Sequence, residues 1–296
     1  VNAECEPLPT AEYGKLLADA DALLAFMTDR VDVEFLNQAP RLKIVSAALK
    51  GYDNFDLEAM QARKVHFCHV PDLLSEPTAE LALTLTLSLL RNLMPGHALM
   101  KSGGFVGWRP ILNSQSLYRA RVGILGMGGV AKALVPLLRG FDCEIFYHDI
   151  QRLAPETEAQ LGIRFREAQQ IHRDVDVFYP LLSLTEQSYH WLDQGKLLEM
   201  MPGAVVVNVG RGSIVDETAI IHVLENKHLG GYAADVFEME DWAVKSRPRS
   251  IHSDLLKQQN TIFTPHLGSA VAAVRYEIEL SAARKIIDFF TSDTQN

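Results

Sequence analysis

Arg121–Gly140 reads RVGILGMGGVAKALVPLLRG, and the way this stretch is read decides the fold. Arg121–Leu125 is a short apolar run of strand character, and from Gly129 onward the apolar residues return at helical spacing. The join fits G-x-G-x-x-G/A with Gly126, Gly128 and Ala131. The first glycine permits a tight turn, the second lets the backbone approach a pyrophosphate, and a small third residue keeps helix and strand close. Gly129 and Val130 open the helix, where unpaired N–H groups and the helix dipole favour an anion. Asp149 closes the next apolar run, CEIFYHD, 23 residues after Gly126. That is near the ~20 residues at which an acid meets the adenosine ribose in NAD-binding units. An acid there repels a 2′-phosphate, so NAD is expected over NADP, with Arg152 close enough to temper the choice. Pro136 lies inside the motif helix and is expected to kink it.

Outward from this unit the same alternation repeats. Upstream, residues 10–22 have helical spacing, LLAFM reads as a strand, VDVEFLNQAP as a helix ended by Pro40, LKIVSAA as a strand, NFDLEAMQARK as a helix, and VHFCHV as a strand stopped by Pro71. Residues 77–103 read as one long helix, apolar on nearly all faces and therefore buried in a core or an interface. A loop bearing Gly, Pro and Trp follows, GGFVGWRPILNSQS. Downstream, VDVFYPLL, AVVVNVG and GGYAADVF are further strands, and AAVRYEIELSAARKIIDFF is a closing helix. Strands alternating with helices predict an α/β fold built on parallel sheets. The first strand of the N-terminal series is expected upstream of residue 1.

The totals narrow the class. A chain of 296 residues suggests two domains, at roughly 100–200 residues each. A net charge of −9 disfavours nucleic-acid binding, because phosphate contacts need a basic face. Cys5, Cys68 and Cys143 are odd in number, far apart and without a C-x-x-C, which points to reduced thiols and a cytoplasmic protein. No apolar run reaches the ~20 residues of a membrane span, and the first residues do not resemble a signal peptide. His66-Phe67-Cys68-His69 suggests a metal site, but alternation places His69 opposite His66 and Cys68, and no second ligand group has matching spacing. No metal is expected.

Polar residues at the ends of apolar strands are the candidates for chemistry, because ligands of such sheets bind outside the carboxyl ends of the strands. Lys50 follows the apolar run KIVSAA, and a lysine there is costly unless it meets an anion. Arg211 lies in NVGRGSIVDE, Asp235 and Glu240 in ADVFEME, and His266 in TPHLGS. A histidine can take and give a proton near neutral pH. Glu240 could hold its ring, Arg211 could fork onto an oxyanion, and Asp235 could accept the carboxamide of a nicotinamide. For each taken alone, a structural hydrogen bond remains an equally good reading.

GMGGVA, NVGRGSIVDE, ADVFEME and TPHLGS, in this order, resemble the D-2-hydroxyacid dehydrogenase family over nearly the whole chain. The resemblance implies a central NAD-binding, doubly wound domain at residues 75–266. Around it lies a flavodoxin-like split substrate domain at residues 1–74, to which residues 267–296 return. It implies a catalytic set of Arg211, Glu240 and His266, an NAD site with Gly126, Gly128, Asp149, Asp235 and Thr78, and a homodimer formed through the helix from Pro77 and the loop through Trp108. AFMTDRVD, ALKGYDNFD, SGGFVGWRP and GGYAADVFEMEDWA are similar to the phosphonate dehydrogenases within that family. That similarity implies oxidation of phosphite to phosphate with NAD, and puts Met27, Lys50, Trp108, Ser269 and Arg275 at or near the substrate. Oxidation of a small 2-hydroxy acid, or an NAD-sensing corepressor role with no turnover, are the alternatives. The chain departs from its relatives around Asn113, at Ser183, at Val209-Gly210 and at Asp241, where proline is usual.

Overall fold

The computed structural model describes residues 10–70 and 72–293. They form two compact units, one taking the described residues up to Leu73 and those from Ala272 on, the other Leu74–Val271. Cys5 and Pro71 lie outside the described residues.

The first unit opens with α1 (Thr10–Asp19), β1 (Ala22–Ala25), α2 (Val33–Gln38), β2 (Ile44–Ala47), α3 (Leu57–Ala62) and β3 (His66–His69). The strands pair in parallel in the order β1-β2-β3. Both short helices start on an aspartate cap, Asp32 accepting from Phe35 N–H and Asp56 from Ala59 N–H. Val45 and Ala47 of β2 face a core with Leu36, Phe55 and Met60. The HFCH segment behaves as a strand: His66 stacks on Phe289, Cys68 approaches Ser46, and Phe67 and His69 lie together on the other face.

The second unit holds α4 (Ser75–Leu90), α5 (Leu93–Lys101), β4 (Arg121–Leu125), α6 (Gly129–Arg139), β5 (Glu144–His148), α7 (Pro155–Leu161) and β6 (Ile163–Phe165). It continues with β7 (Val177–Pro180), α8 (Gln194–Glu199), β8 (Val205–Asn208), α9 (Glu217–Glu225), β9 (Gly231–Ala234), α10 (Ser253–Lys257) and β10 (Thr261–Phe263). Its sheet is parallel throughout, in the order β10-β9-β8-β7-β4-β5-β6. The chain winds one way from β4 and the other way from β7, so the direction reverses between these neighbours. That reversal opens the crevice in which such sheets bind ligands. Burial on both faces explains the unbroken apolar runs. Val122, Ile124, Ile145, Tyr147, Val177, Tyr179, Val205 and Val207 face a core with α4 and α6. Phe146, Phe178, Val206 and Tyr232 face a core with α8 and α9.

The α/β architecture with parallel sheets is as expected, with three differences of detail. The expected long helix over residues 77–103 is two helices, because Asn92 takes a left-handed backbone (φ 51°) and ends the first. α4 buries one face, whereas α5 has no buried residue. α6 continues through Pro136, which lies on its exposed side, so the carbonyl it leaves without a donor can meet water. α7 and β6 carry too little pattern to be read from sequence: β6 is three residues long and only Ile163 of it is buried.

The closing helix α11 (Ala272–Asp293) packs on the small sheet of the first unit. Ser46, on the face of β2 opposite Val45, donates to Ala282 O at 2.8 Å, and Lys285 Nζ donates to His69 O at 3.0 Å. Leu267–Val271 stay with the second unit, where the N–H groups of Leu267 and Gly268 are bonded to Asp235.

Candidate active site

The nucleotide end of the site begins at β4. Gly126 has φ +94°, and a Cβ on it would lie 2.6 Å from Leu181 O at the end of β7. Only glycine satisfies both demands. At Gly128 an added Cβ meets nothing within 4 Å, so this backbone faces open space. The N-terminus of α6, with Gly129 and Val130 as its first residues, has no side-chain cap. Asp149, directly after β5, accepts from Met127 N–H at 2.6 Å and from Gln151 N–H at 3.3 Å. An uncapped helix start, an open glycine and a fixed acid beside them fit a dinucleotide. Arg152 does not compete for a 2′-phosphate here. It forks onto Glu158, at 2.8 and 3.0 Å, and stacks over Phe165 at 5.0 Å. Thr78 is buried near the start of α4 and donates to Leu74 O, and its Oγ1 limits the space at Gly268.

The acid–base end is assembled from the loops that follow β8, β9 and β10. After β8, Asn208 folds its amide over the turn, accepting from Gly210 N–H and donating to Arg211 O at 2.9 Å. After β9, Asp235 is buried, and its oxygens accept from Thr264 Oγ1, Leu267 N–H and Gly268 N–H at 2.6, 2.6 and 2.8 Å. Burial pushes its carboxyl pKa up, against the pull of those donors. Asp235 thereby holds the TPHLG loop. His266 sits in that loop with φ +55°, an uncommon backbone for a non-glycine residue. Its Nδ1 lies 2.7 Å from Glu240 Oε2, while Glu240 Oε1 accepts from Phe237 N–H at 2.9 Å. Both side chains stay 29% exposed, so the pair is fixed yet reachable. Ser269, directly after Gly268, accepts from Val271 N–H through its carbonyl.

The Arg211 loop and the Glu240 turn are locked together. Gly212 lies so close that an added Cβ would be 1.9 Å from Phe237 C. Asp241 is buried and accepts from Ser213 N–H at 2.6 Å. Glu217 and Glu238 exchange bonds, each carboxylate accepting the other's N–H at 2.8 and 2.9 Å. Sequence reasoning misses these pairings. Asn208, Glu217, Glu238 and Asp241 all sit inside or beside NVGRGSIVDE and ADVFEME, so the motifs mark them without revealing their bonds.

In the first unit, β1 runs into Phe26 and Met27, and Met27 O accepts from Asn54 Nδ2 at 2.9 Å. Lys50 is half-buried, three residues beyond the end of β2. Arg275, in the first turn of α11, lies over Phe26 at 5.9 Å and pairs with Glu279 at 3.1 Å. Trp108, in the irregular segment between α5 and β4, is 84% exposed. Cys68 and Cys143 are free, and burial pushes the Cys143 thiol up to about 11, which leaves it unreactive. Among the described residues, His190, Asp216 and Glu238 are the group whose ligand-type atoms gather within 4.8 Å. No helix of the described residues is long and apolar enough to cross a membrane.

Residues 83–268 match the family model described as D-isomer specific 2-hydroxyacid dehydrogenase, NAD binding domain. The chain belongs to this family. A glyoxylate reductase of Thermococcus onnurineus is 32% identical over 276 residues, 92% of this chain and 80% of the relative. Among solved structures, the TT0316 protein of Thermus thermophilus superposes with a TM-score of 0.83 at 29% identity, covering 94% of this chain and 85% of that one. The D-lactate dehydrogenase of Aquifex aeolicus, solved with NAD and lactic acid, shares the fold with a TM-score of 0.85 at 20% identity, covering 95% and 86%. The chain is thus an NAD-dependent oxidoreductase of the 2-hydroxyacid dehydrogenase family, with an NAD-binding domain in its second unit.

Proposed function

We propose that this dehydrogenase interconverts a small 2-keto acid of the glyoxylate class and its 2-hydroxy acid. The observation that carries this reading is the His266–Glu240 pair at 2.7 Å in the same unit as Arg211 and the glycine turn. Bound NADH supplies the hydride for the carbonyl carbon, and NAD takes it back in the reverse direction. Glu240 holds Nδ1, which leaves Nε2 of His266 to exchange a proton with the substrate oxygen. Arg211 polarises the carbonyl and steadies the charge that develops on its oxygen. Gly126, Gly128, Gly129 and Val130 would hold the pyrophosphate and Asp149 the ribose, and Thr78, packed against Gly268, would be a further cofactor residue. Asp235 fixes the loop that presents His266.

A second reading, oxidation of phosphite to phosphate, is favoured by Lys50. A lysine just past the end of β2 suits a dianion better than a single carboxylate. Arg275, beside Phe26 in the same unit, would add to that charge, and Met27 belongs to that unit too, whereas Trp108 and Ser269 belong to the second. Parallel assays of NADH consumption with glyoxylate and NADH formation with phosphite separate the two. Turnover of glyoxylate alone supports the first reading, and turnover of phosphite alone replaces it with the second. Silence with both, while NADH still binds, removes both.

The enzyme would act as a homodimer. Leu93, Met94, Met100, Val106 and Trp108 are all more than half exposed on α5 and the segment after it, a concentration that suits burial against a second copy. A monomer by light scattering at micromolar concentration would exclude this.

A further inference from the structure

His190 belongs to neither the nucleotide end nor the acid–base pair, yet it touches both turns that carry the proposed catalytic groups. It lies in the connection between β7 and α8, with φ +48°. Strained non-glycine backbone persists where the surroundings over-determine it. Its N–H donates to Ser213 O at 2.7 Å, in the turn that follows Arg211. Its Nε2 lies 3.2 Å from Glu238 Oε1, within ion-pair reach though off the line of an ideal hydrogen bond. Glu238 is the first residue of the three-residue turn whose last is Glu240. The charged groups facing this imidazole are acids: Glu238 from that turn, Asp216 and Glu217 from the head of α9. Asp241 adds a further negative charge near Glu217, and His252 brings a backbone donor to Glu217 from the head of α10. Tyr189 stacks on the ring at 4.0 Å.

We infer that His190 is a positioning residue, a staple between the Arg211 loop and the Glu240 turn that sets where His266 points. The inference rests on the assignment of Arg211, Glu240 and His266 made above. Without the imidazole opposite it, Glu238 would keep only the Glu217 N–H while carrying its charge beside Asp216, and the turn would shift to relieve that. A shift of about 1 Å at such a distance from the chemistry can cost on the order of 100-fold in rate. The pairing with Glu238 also holds the imidazole pKa above its ordinary value, in keeping with a charged staple at neutral pH.

The test compares His190→Leu with His190→Gln in the full chain, with glyoxylate and phosphite each as substrate. Leucine fills the space without a donor, whereas glutamine restores an N–H toward Glu238. The expected result is a loss in kcat of about 30-fold or more for H190L, with KM for the acid and the affinity for NADH within about threefold of wild type. H190Q should recover most of that kcat. Equal kcat for H190L and wild type would overturn the inference, as would an H190L loss that H190Q fails to restore. Should H190L not fold, His190→Asn, whose amide is too short to reach Glu238, removes the same pairing while leaving the Glu238 charge in place, and carries the same expectation. Stoichiometric zinc in the purified protein, lost in H190L, would replace positioning with metal binding. A His266→Asn arm separates the two levels. If H266N remains fully active, the catalytic assignment itself fails and the staple falls with it. If H266N is dead and H190L is normal, only the staple fails.

Discussion

The two sheets end in loops of different kinds. Past β8, β9 and β10 polar side chains tie the loops down: Asn208 to the backbone of its own turn, Asp235 to the Thr264 hydroxyl and two N–H groups of the next loop, Glu240 to the His266 ring, and Glu217 and Glu238 each to the other's N–H. Past β1 and β2 the bonds are local and lie within this small unit, with Asp29 accepting from Phe26 N–H, Asn54 reaching Met27 O and Val70 N–H reaching Leu49 O. The first arrangement fixes groups within the few tenths of an ångström that proton transfer needs. The second leaves Lys50 and Met27 on short, locally held segments. Under the proposed function this divides the labour: chemistry common to the family in the second unit, and choice of acid in the first.

The sharpest attempt to break this division is His266→Asn. It should lower kcat/KM by about 1,000-fold, within the usual range for loss of an acid–base group, with NADH affinity kept. A fall mainly in substrate affinity would place His266 among the selecting residues instead. Lys50→Ala is the counterpart. Removing a charge-assisted contact costs roughly 1.5–3 kcal/mol, or about 10- to 100-fold, and the loss should appear in KM of the preferred acid with kcat little changed. If kcat falls instead, the first unit takes part in the chemistry and the comparison collapses. A smaller effect is expected at Asp149→Ser. Because Arg152 is engaged by Glu158, removing the acid should improve use of NADP relative to NAD by about tenfold, by relief of repulsion alone. An unchanged ratio in steady-state kinetics would mean that Asp149 serves the Met127 turn and not the ribose.

Much of this is legible in the sequence alone. The glycine turn declares itself because φ +94° at Gly126 and the 2.6 Å approach to Leu181 O admit no other residue. The inner strands β4, β7, β8 and β9 are buried on both faces and read as plain apolar runs. The Asn92 break was hidden by leucine-rich sequence on both sides of it. β6 was hidden because a three-residue strand at a sheet edge carries almost no pattern. Asp235 stands out as a polar residue behind a strand and is expected to accept the nicotinamide carboxamide, and the structure adds bonds from Thr264, Leu267 and Gly268 that its position does not announce. Strand-end position flags a residue for the site without telling a group that meets ligand from one that holds a neighbour. His190 is the extreme case, a lone histidine in an irregular connection, visible only once Ser213 and Glu238 are brought to it.

The rigidity of the second unit's loops has a cost that can be read from pH, and this is the smallest expected effect. Glu217 is buried, and desolvation pushes its carboxyl up to about 7, with the charge of Glu238 adding to the rise. In the unfolded chain a glutamate titrates near its ordinary value of about 4.3. Between those two values the folded protein holds a proton that the unfolded chain has lost. The unfolded state then binds fewer protons, and stability falls as pH rises through the window. Below the unfolded value the contribution is fully present, and above about 7 it is gone. His190 adds a slope of the same sign, since its raised pKa supports the fold only while the ring is charged. Glu217→Gln keeps an oxygen for Glu238 N–H and removes the titration. Chemical denaturation at pH 5 and pH 8 should therefore show a wild-type loss on the order of 2 kcal/mol across the interval, and a visibly flatter response in the variant. The part of the remaining slope due to His190 should be lost in the H190Q, E217Q double variant, leaving that of other shifted groups such as His172, whose lowered pKa acts with the opposite sign. An identical slope in wild type and E217Q would mean that the Glu217–Glu238 pair is ionised in the folded state, and that the ordered side of the comparison is held without the penalty its burial implies.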